Sequence, residues 1–132
     1  MCMKILVVDD QTTMVPLQWI VKDLKGYLAE DFSFTVIPAN IKGVLNVTEY
    51  DFLIVNVSQG RTDIVHKAEY VGIPVIIMIE VGSMFRDELR DVNSKMMVVD
   101  KLDLFDFNRF KECFAVCVER CARKRISLPV AA

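Results

Sequence analysis

Five short apolar runs recur along the chain, at 5–8, 32–37, 52–57, 75–79 and 96–99, each too short for a buried helix and mostly rich in β-branched residues. Between them the apolar positions fall three and four apart, the spacing of amphipathic helices. Strands alternating with helices predict a parallel sheet covered on both faces. The first run, Lys4-Ile5-Leu6-Val7-Val8, ends in two adjacent carboxylates, Asp9 and Asp10. In an open parallel sheet ligands sit outside the carboxyl ends of the strands, so these acids mark the candidate site.

The segments between the runs sharpen this layout. Thr12 and Thr13 can cap a helix whose first turn accommodates Pro16, with Leu17, Ile20, Val21, Leu24 and Leu28 as its core stripe. Trp19 comes out nearly opposite that stripe, beside Val15, either as an interface anchor or as a ring covered by a neighbouring loop. The run 32–37 alternates as a strand near a sheet edge does, and Pro38 ends it. Residues 41–48 predict a short helix weakened by Gly43. The stretch 50–57 is the most apolar strand and therefore central, and its polar residue near the carboxyl end, Asn56, should face Asp9 and Asp10. A helix over 62–71 is expected to end at Gly72, another over 84–92 to start after Ser83, and Asp103 with Asp106 to open the last helix. On that helix Phe107, Phe110, Phe114, Cys117, Val118 and Cys121 share one face, while Arg109, Cys113, Val116 and Arg120 lie along its flank.

Composition narrows the function. At 132 residues the chain is one domain, read as 1–126 with 127–132 as a tail or the start of a linker. A composition 53% hydrophobic and 26% charged is globular, and no apolar run approaches a bilayer span, so a cytoplasmic protein without a membrane segment is expected. The net charge of −2 carries no nucleic-acid footprint; Arg120, Arg123, Lys124 and Arg125 suit the negative end of a helix. Cys113, Cys117 and Cys121 recur every fourth residue, a spacing wrong for a disulfide framework, and with His66 the only histidine they read as small core residues. No Gly-rich phosphate loop, Ser/His/Asp set or Cys/His pair is present, which argues against an enzyme.

The opening Lys4-Ile5-Leu6-Val7-Val8-Asp9-Asp10-Gln11-Thr12-Thr13-Met14 resembles that of the receiver domains of two-component response regulators, the stand-alone chemotaxis (CheY-like) type included. The likeness runs the whole chain: 51–56 is similar to the third-strand motif that ends in the phosphoacceptor aspartate, 73–79 to the fourth strand, and Lys101 to the lysine after the fifth. The resemblance implies an α/β fold, a doubly wound five-stranded parallel sheet, flavodoxin-like in the order 2-1-3-4-5, with helices on both faces.

It also implies a mechanism that these residues break. In an ordinary receiver the acid pair binds Mg²⁺, the third-strand aspartate takes a phosphoryl group, and a fourth-strand hydroxyl with the lysine holds it. Here Asn56 stands at the acceptor, Ile79 at the hydroxyl and Val98 at the switch aromatic, while Leu102 replaces a proline. An amide is no nucleophile, so acyl phosphate formation lacks its acceptor; deamidation to aspartate is disfavoured by bulky Val57. The loop Val57-Ser58-Gln59-Gly60 lacks the family's Met-Pro and Asp-Gly signals, and its crossover to Pro74 is short.

Asp9, Asp10 and Lys101 survive as a degenerate acidic pocket. With one negative charge fewer than usual, it is expected to bind Mg²⁺ only weakly, through Asp9, Asp10 and the Ser58 carbonyl, and to require no cofactor. Equally, Lys101 pairs with an acid to settle a buried charge cluster. The expected function is an atypical receiver acting as a phosphorylation-independent protein–protein interaction and signalling module. Its partner would be a signalling protein or a second copy, met through the fourth-helix, fifth-strand, fifth-helix face that carries Arg109, Cys113, Val116 and Arg120, or through Val15 and Trp19. Two alternatives stay open: a working phosphoreceiver using Asp51, Asp100 or Ser58, although Asp51 lies at the far end of its strand, and an ion or small-molecule sensor.

Overall fold

The structure is a computed structural model that describes residues 2–9, 14–24, 31–38, 46–57, 62–79, 97–100 and 107–127. Its elements run β1 (Cys2–Val8), α1 (Met14–Leu24), β2 (Asp31–Ile37), β3 (Phe52–Asn56), α2 (Thr62–Val71), β4 (Val75–Ile79), β5 (Met97–Asp100) and α3 (Phe107–Ser127). The strands form one parallel sheet in the order β2-β1-β3-β4-β5. The α/β class and the parallel sheet are as expected. The chain passes from β1 outward to β2 and returns to β3 on the other side of β1, so the order reverses between β1 and β3. In open parallel sheets such a reversal is where ligands bind, outside the carboxyl ends of the strands.

Strand alternation divides the core in two. Met3, Ile5 and Val7 of β1, Phe52 and Ile54 of β3 and Ile76 and Met78 of β4 pack with Leu17 and Ile20 of α1 and with Phe110, Phe114, Cys117, Val118 and Cys121 of α3. Leu6, Val8, Leu53, Val55, Val75 and Ile77 face the other way, onto Ile64, Val65 and Ala68 of α2. Every residue of β3 is buried, as a central strand covered on both faces requires. The first layer is the aromatic one. Phe114 meets Phe52 and Phe32 edge to face, at ring-centroid distances of 5.3 and 5.4 Å.

Local chemistry sets several boundaries. α2 ends in a Schellman motif: Gly72 adopts φ 81°, its N–H donates to Glu69 O at 3.1 Å, and Ile73 N–H donates to Ala68 O at 2.9 Å. Pro16 sits in the first turn of α1, where its missing N–H is tolerated. Within the segment expected to form a weak helix, the described part is a single 3-10 turn, Val47–Glu49, capped by the Asn46 side chain, which accepts from Thr48 N–H. The turn buries Val47 in the α2-side core. The capping residues Thr12 and Thr13, Leu28, the helix over 84–92 with Ser83, and the pair Asp103 and Asp106 lie outside the described residues.

Cys113 carries two sequence readings, a place on the flank of the last helix and a small core residue, and the second holds: it is only 6% exposed and packs in the core with Phe114 and Cys117. A helix laid across a twisted sheet buries an apolar arc wider than its central stripe, and a small thiol at the margin falls inside it. Burial pushes the Cys113 thiol up, and that of Cys117 further, so both stay protonated in the folded protein. No helix among the described residues is long and apolar enough to cross a membrane.

Candidate functional site

The site forms where β1 and β3 end. Asp9 follows the last residue of β1, and its N–H donates to Ile37 O at the end of β2, 2.9 Å away, which locks the backbone that carries the carboxylate. Asn56 is the last residue of β3, and the next residue, Val57, donates its N–H to Met78 O at 3.0 Å. Both polar side chains are thus held by main chain tied into the sheet.

They meet directly. The Asn56 amide Nδ2 donates to Asp9 Oδ1 at 2.9 Å, with Asp9 only 2% and Asn56 4% exposed. An ionised carboxylate accepts hydrogen bonds and cannot donate them, so the amide must turn its nitrogen toward Asp9. These are the buried polar residues among the described ones, in a core otherwise apolar. A buried carboxylate is tolerable only when hydrogen-bonded, and the amide supplies such a partner without adding charge.

The sequence reading brought Asp9 and Asn56 together, and so does the structure. Asp10, Ser58 and Lys101 lie outside the described residues. Ile79 closes β4 in register with Asp100, the last residue of β5, and Val98 pairs with Ile77, so the backbone brings these positions to the same sheet end or two residues within it. Among the described residues no three acids, cysteines or histidines gather as a metal site.

The candidate interface residues divide between two surfaces. On α1, Val15 is 55% and Trp19 64% exposed. On α3, Val116 is 37% exposed, and Arg109 and Arg120 are exposed too. Lys111 of α3 turns toward α1 and pairs with Asp23 at 3.0 Å. At about 100° per residue, Arg109, Val116 and Arg120 fall on the flank of α3 away from that pair, whereas Trp19 falls on the flank of α1 beside it. They do not form one patch.

Sequence reasoning missed a second acid with a fixed role. Asp51 precedes β3 at its amino end; its carboxylate Oδ2 accepts Lys4 N–H at 2.8 Å while its own N–H donates to Lys4 O at 2.7 Å. Its carbonyl also lies 3.3 Å from Cys121 Sγ of α3, which donates to it. The available signal was an aspartate immediately before a buried strand, the place where an unpaired N–H of the neighbouring strand needs an acceptor.

The architecture matches known structures. The chain is similar to the signal receiver domain of a LuxO repressor protein from Vibrio parahaemolyticus, with a TM-score of 0.61 and 15% identity over 98% of this chain and 100% of that one. The fold is that of a receiver domain. A receiver domain of the Francisella response regulator 1452 is also similar, with a TM-score of 0.49 and 16% identity over 89% of this chain and 98% of that one. No family model and no curated protein matches the sequence. In open parallel sheets ligands bind outside the carboxyl ends of the strands where the strand order reverses, the end at which Asp9 and Asn56 meet here.

Proposed function

We propose that this chain is a receiver-fold signalling module that acts through protein contacts and carries no aspartyl phosphate on its third strand. The observation that carries this reading is the hydrogen bond from Asn56 Nδ2 to Asp9 Oδ1. A phosphoacceptor needs a nucleophilic oxygen open to a phosphodonor, whereas this position presents a neutral amide whose nitrogen is committed to the neighbouring carboxylate and whose surroundings are buried. The amide also takes over part of the work of a cation, since it offers a donor to Asp9.

The same chemistry makes Mg²⁺ a weak ligand. The ion prefers six oxygens in octahedral array, and one oxygen of Asp9 is already engaged; Asp10 and the Ser58 carbonyl would have to complete its shell. With the pocket uncharged at Asn56, the module needs no cofactor and performs no catalysis. Its output passes through exposed side chains, with Arg109, Val116 and Arg120 on α3 as one surface and Val15 and Trp19 on α1 as another.

Incubation with acetyl phosphate and Mg²⁺, read by intact mass, tests this. No mass gain of one phosphoryl group is expected for the natural chain, and Asn56→Asp provides the reference for an acceptor restored. A phosphorylated natural chain, at Asp100, Ser58 or any other residue, would overturn the proposal in favour of a working phosphoreceiver.

A further inference from the structure

β2 is the terminal strand of the sheet, paired along all of Asp31–Ile37 with β1 on one side and with no described residue paired on the other. Natural sheets guard such edges with lysines, prolines, bulges or inward charges, because an open row of N–H and C=O groups is a template for another strand. Here Asp31 is the only charged residue of the strand, it sits at its start, and Pro38 follows only after its end. Between them, 32–37 is free of both.

The direction of the main-chain groups follows from one contact. Ile37 O accepts Asp9 N–H, so Ile37 turns toward β1. By the alternation of a strand, Asp31, Ser33 and Thr35 also turn inward, and Phe32, Phe34 and Val36 aim their N–H and C=O groups outward. Their side chains lie on the α1–α3 face, partly buried against Phe114 and its neighbours, while Ser33 and Thr35 are exposed on the opposite face.

We infer that this edge pairs with the same edge of a second copy, antiparallel about a two-fold axis at Phe34. The strand is chemically symmetric about that residue. Phe34 would meet its own copy and Phe32 would meet Val36 as hydrogen-bonded pairs, which uses every outward main-chain group of the three. Ser33 would meet Thr35 in the closer, non-hydrogen-bonded position, where two hydroxyls suit each other. Asp31 would fall opposite Ile37, so no like charges are juxtaposed. The pairing joins two sheets into one and gives the half-buried Phe32 and Phe34 rings apolar neighbours across the axis, extending the aromatic layer from one copy into the next. Such an isologous contact closes on itself and does not propagate. It uses neither the Asp9 site nor the α1 and α3 surfaces, so it stands or falls separately from the function proposed above.

The register makes the test specific. Light scattering across micromolar concentrations is expected to show the natural chain as a dimer, with the Phe32, Phe34 and Val36 amides protected from hydrogen exchange. Ser33→Lys with Thr35→Lys changes two exposed side chains and sets lysine against lysine twice, which should weaken the dimer about tenfold or more while the circular dichroism of the monomer is unchanged. Ser33→Lys with Thr35→Glu sets lysine against glutamate in this register and should restore the dimer. A natural chain that stays monomeric with those amides freely exchanging, or a doubly lysine-substituted chain that dimerises as tightly as the natural one, would overturn the inference.

Discussion

The central strand pair is fastened at both ends by an aspartate, and the two ends differ in what that acid does. At the amino end Asp51 stands partly in water and accepts the Lys4 backbone N–H, closing the β1–β3 ladder as any well-placed acceptor would. At the carboxyl end Asp9 is almost wholly buried and accepts an amide from Asn56, a side chain that could have been a second acid. The first is an element of folding. The second is a charged group kept in the interior, an arrangement that fold stability alone does not favour and that marks a site whose residues are chosen for other reasons. What distinguishes the ends is solvent, not chemical type.

Substitutions at the buried end should therefore have the larger effects. Asn56→Asp is expected to be the most damaging without a divalent cation, costing about 3 kcal/mol at neutral pH because two carboxylates would share one buried site. The proton that such a pair retains raises a native pKa above its unfolded value. The variant should then be most stable at low pH and lose stability as pH rises through the carboxylate range toward neutral. Urea unfolding at a series of pH values checks this, and added Mg²⁺ should recover part of the loss.

Asn56→Leu comes next, with an expected loss of about 1.5–3 kcal/mol, because it removes a hydrogen bond to a charged group and leaves Asp9 in place. Adding Asp9→Leu should return most of that stability, a non-additivity that a double-mutant cycle would measure directly. Asp51→Ala, at the half-exposed end, should cost only about 0.5–1.5 kcal/mol, since water can replace the lost acceptor. Urea midpoints that rank Asp51→Ala above Asn56→Leu in damage would contradict the comparison.

The smallest effect lies in the core layer between the sheet and α3. Burial raises the Cys117 thiol, so above about pH 8 the unfolded chain releases a proton that the folded chain keeps. Stability present below that range should fall as pH rises, more gently in Cys117→Ala than in the natural chain once the cavity cost is subtracted. Denaturant midpoints between neutral and alkaline pH read the difference.

Much of this organisation was legible in the sequence because it rests on period and composition. The parallel α/β sheet followed from short, mostly β-branched runs, α2 from its spacing and Gly72, and the facing of Asn56 and Asp9 from a polar residue closing the most apolar strand. Only the flank reading of Cys113 failed, against its reading as a small core residue, because a helical stripe has soft margins and how far a helix rolls into a sheet is decided by its neighbours. The Asp51–Lys4 fastening was missed because it pairs a side chain with a main-chain group, for which sequence carries no partner signal. The 3-10 turn at Val47–Glu49 likewise depends on the Asn46 side chain more than on any periodicity.

The central claim is that the carboxyl end of β3 no longer accepts phosphoryl chemistry, and amide NMR with Mg²⁺ followed by beryllofluoride tests it most directly. The account predicts at most weak shifts near Asp9 with Mg²⁺ and no further change with beryllofluoride, a mimic of a phosphoryl group on aspartate. Shifts that appear only with beryllofluoride and reach α3 would contradict it, and would make the chain a phosphorylation switch.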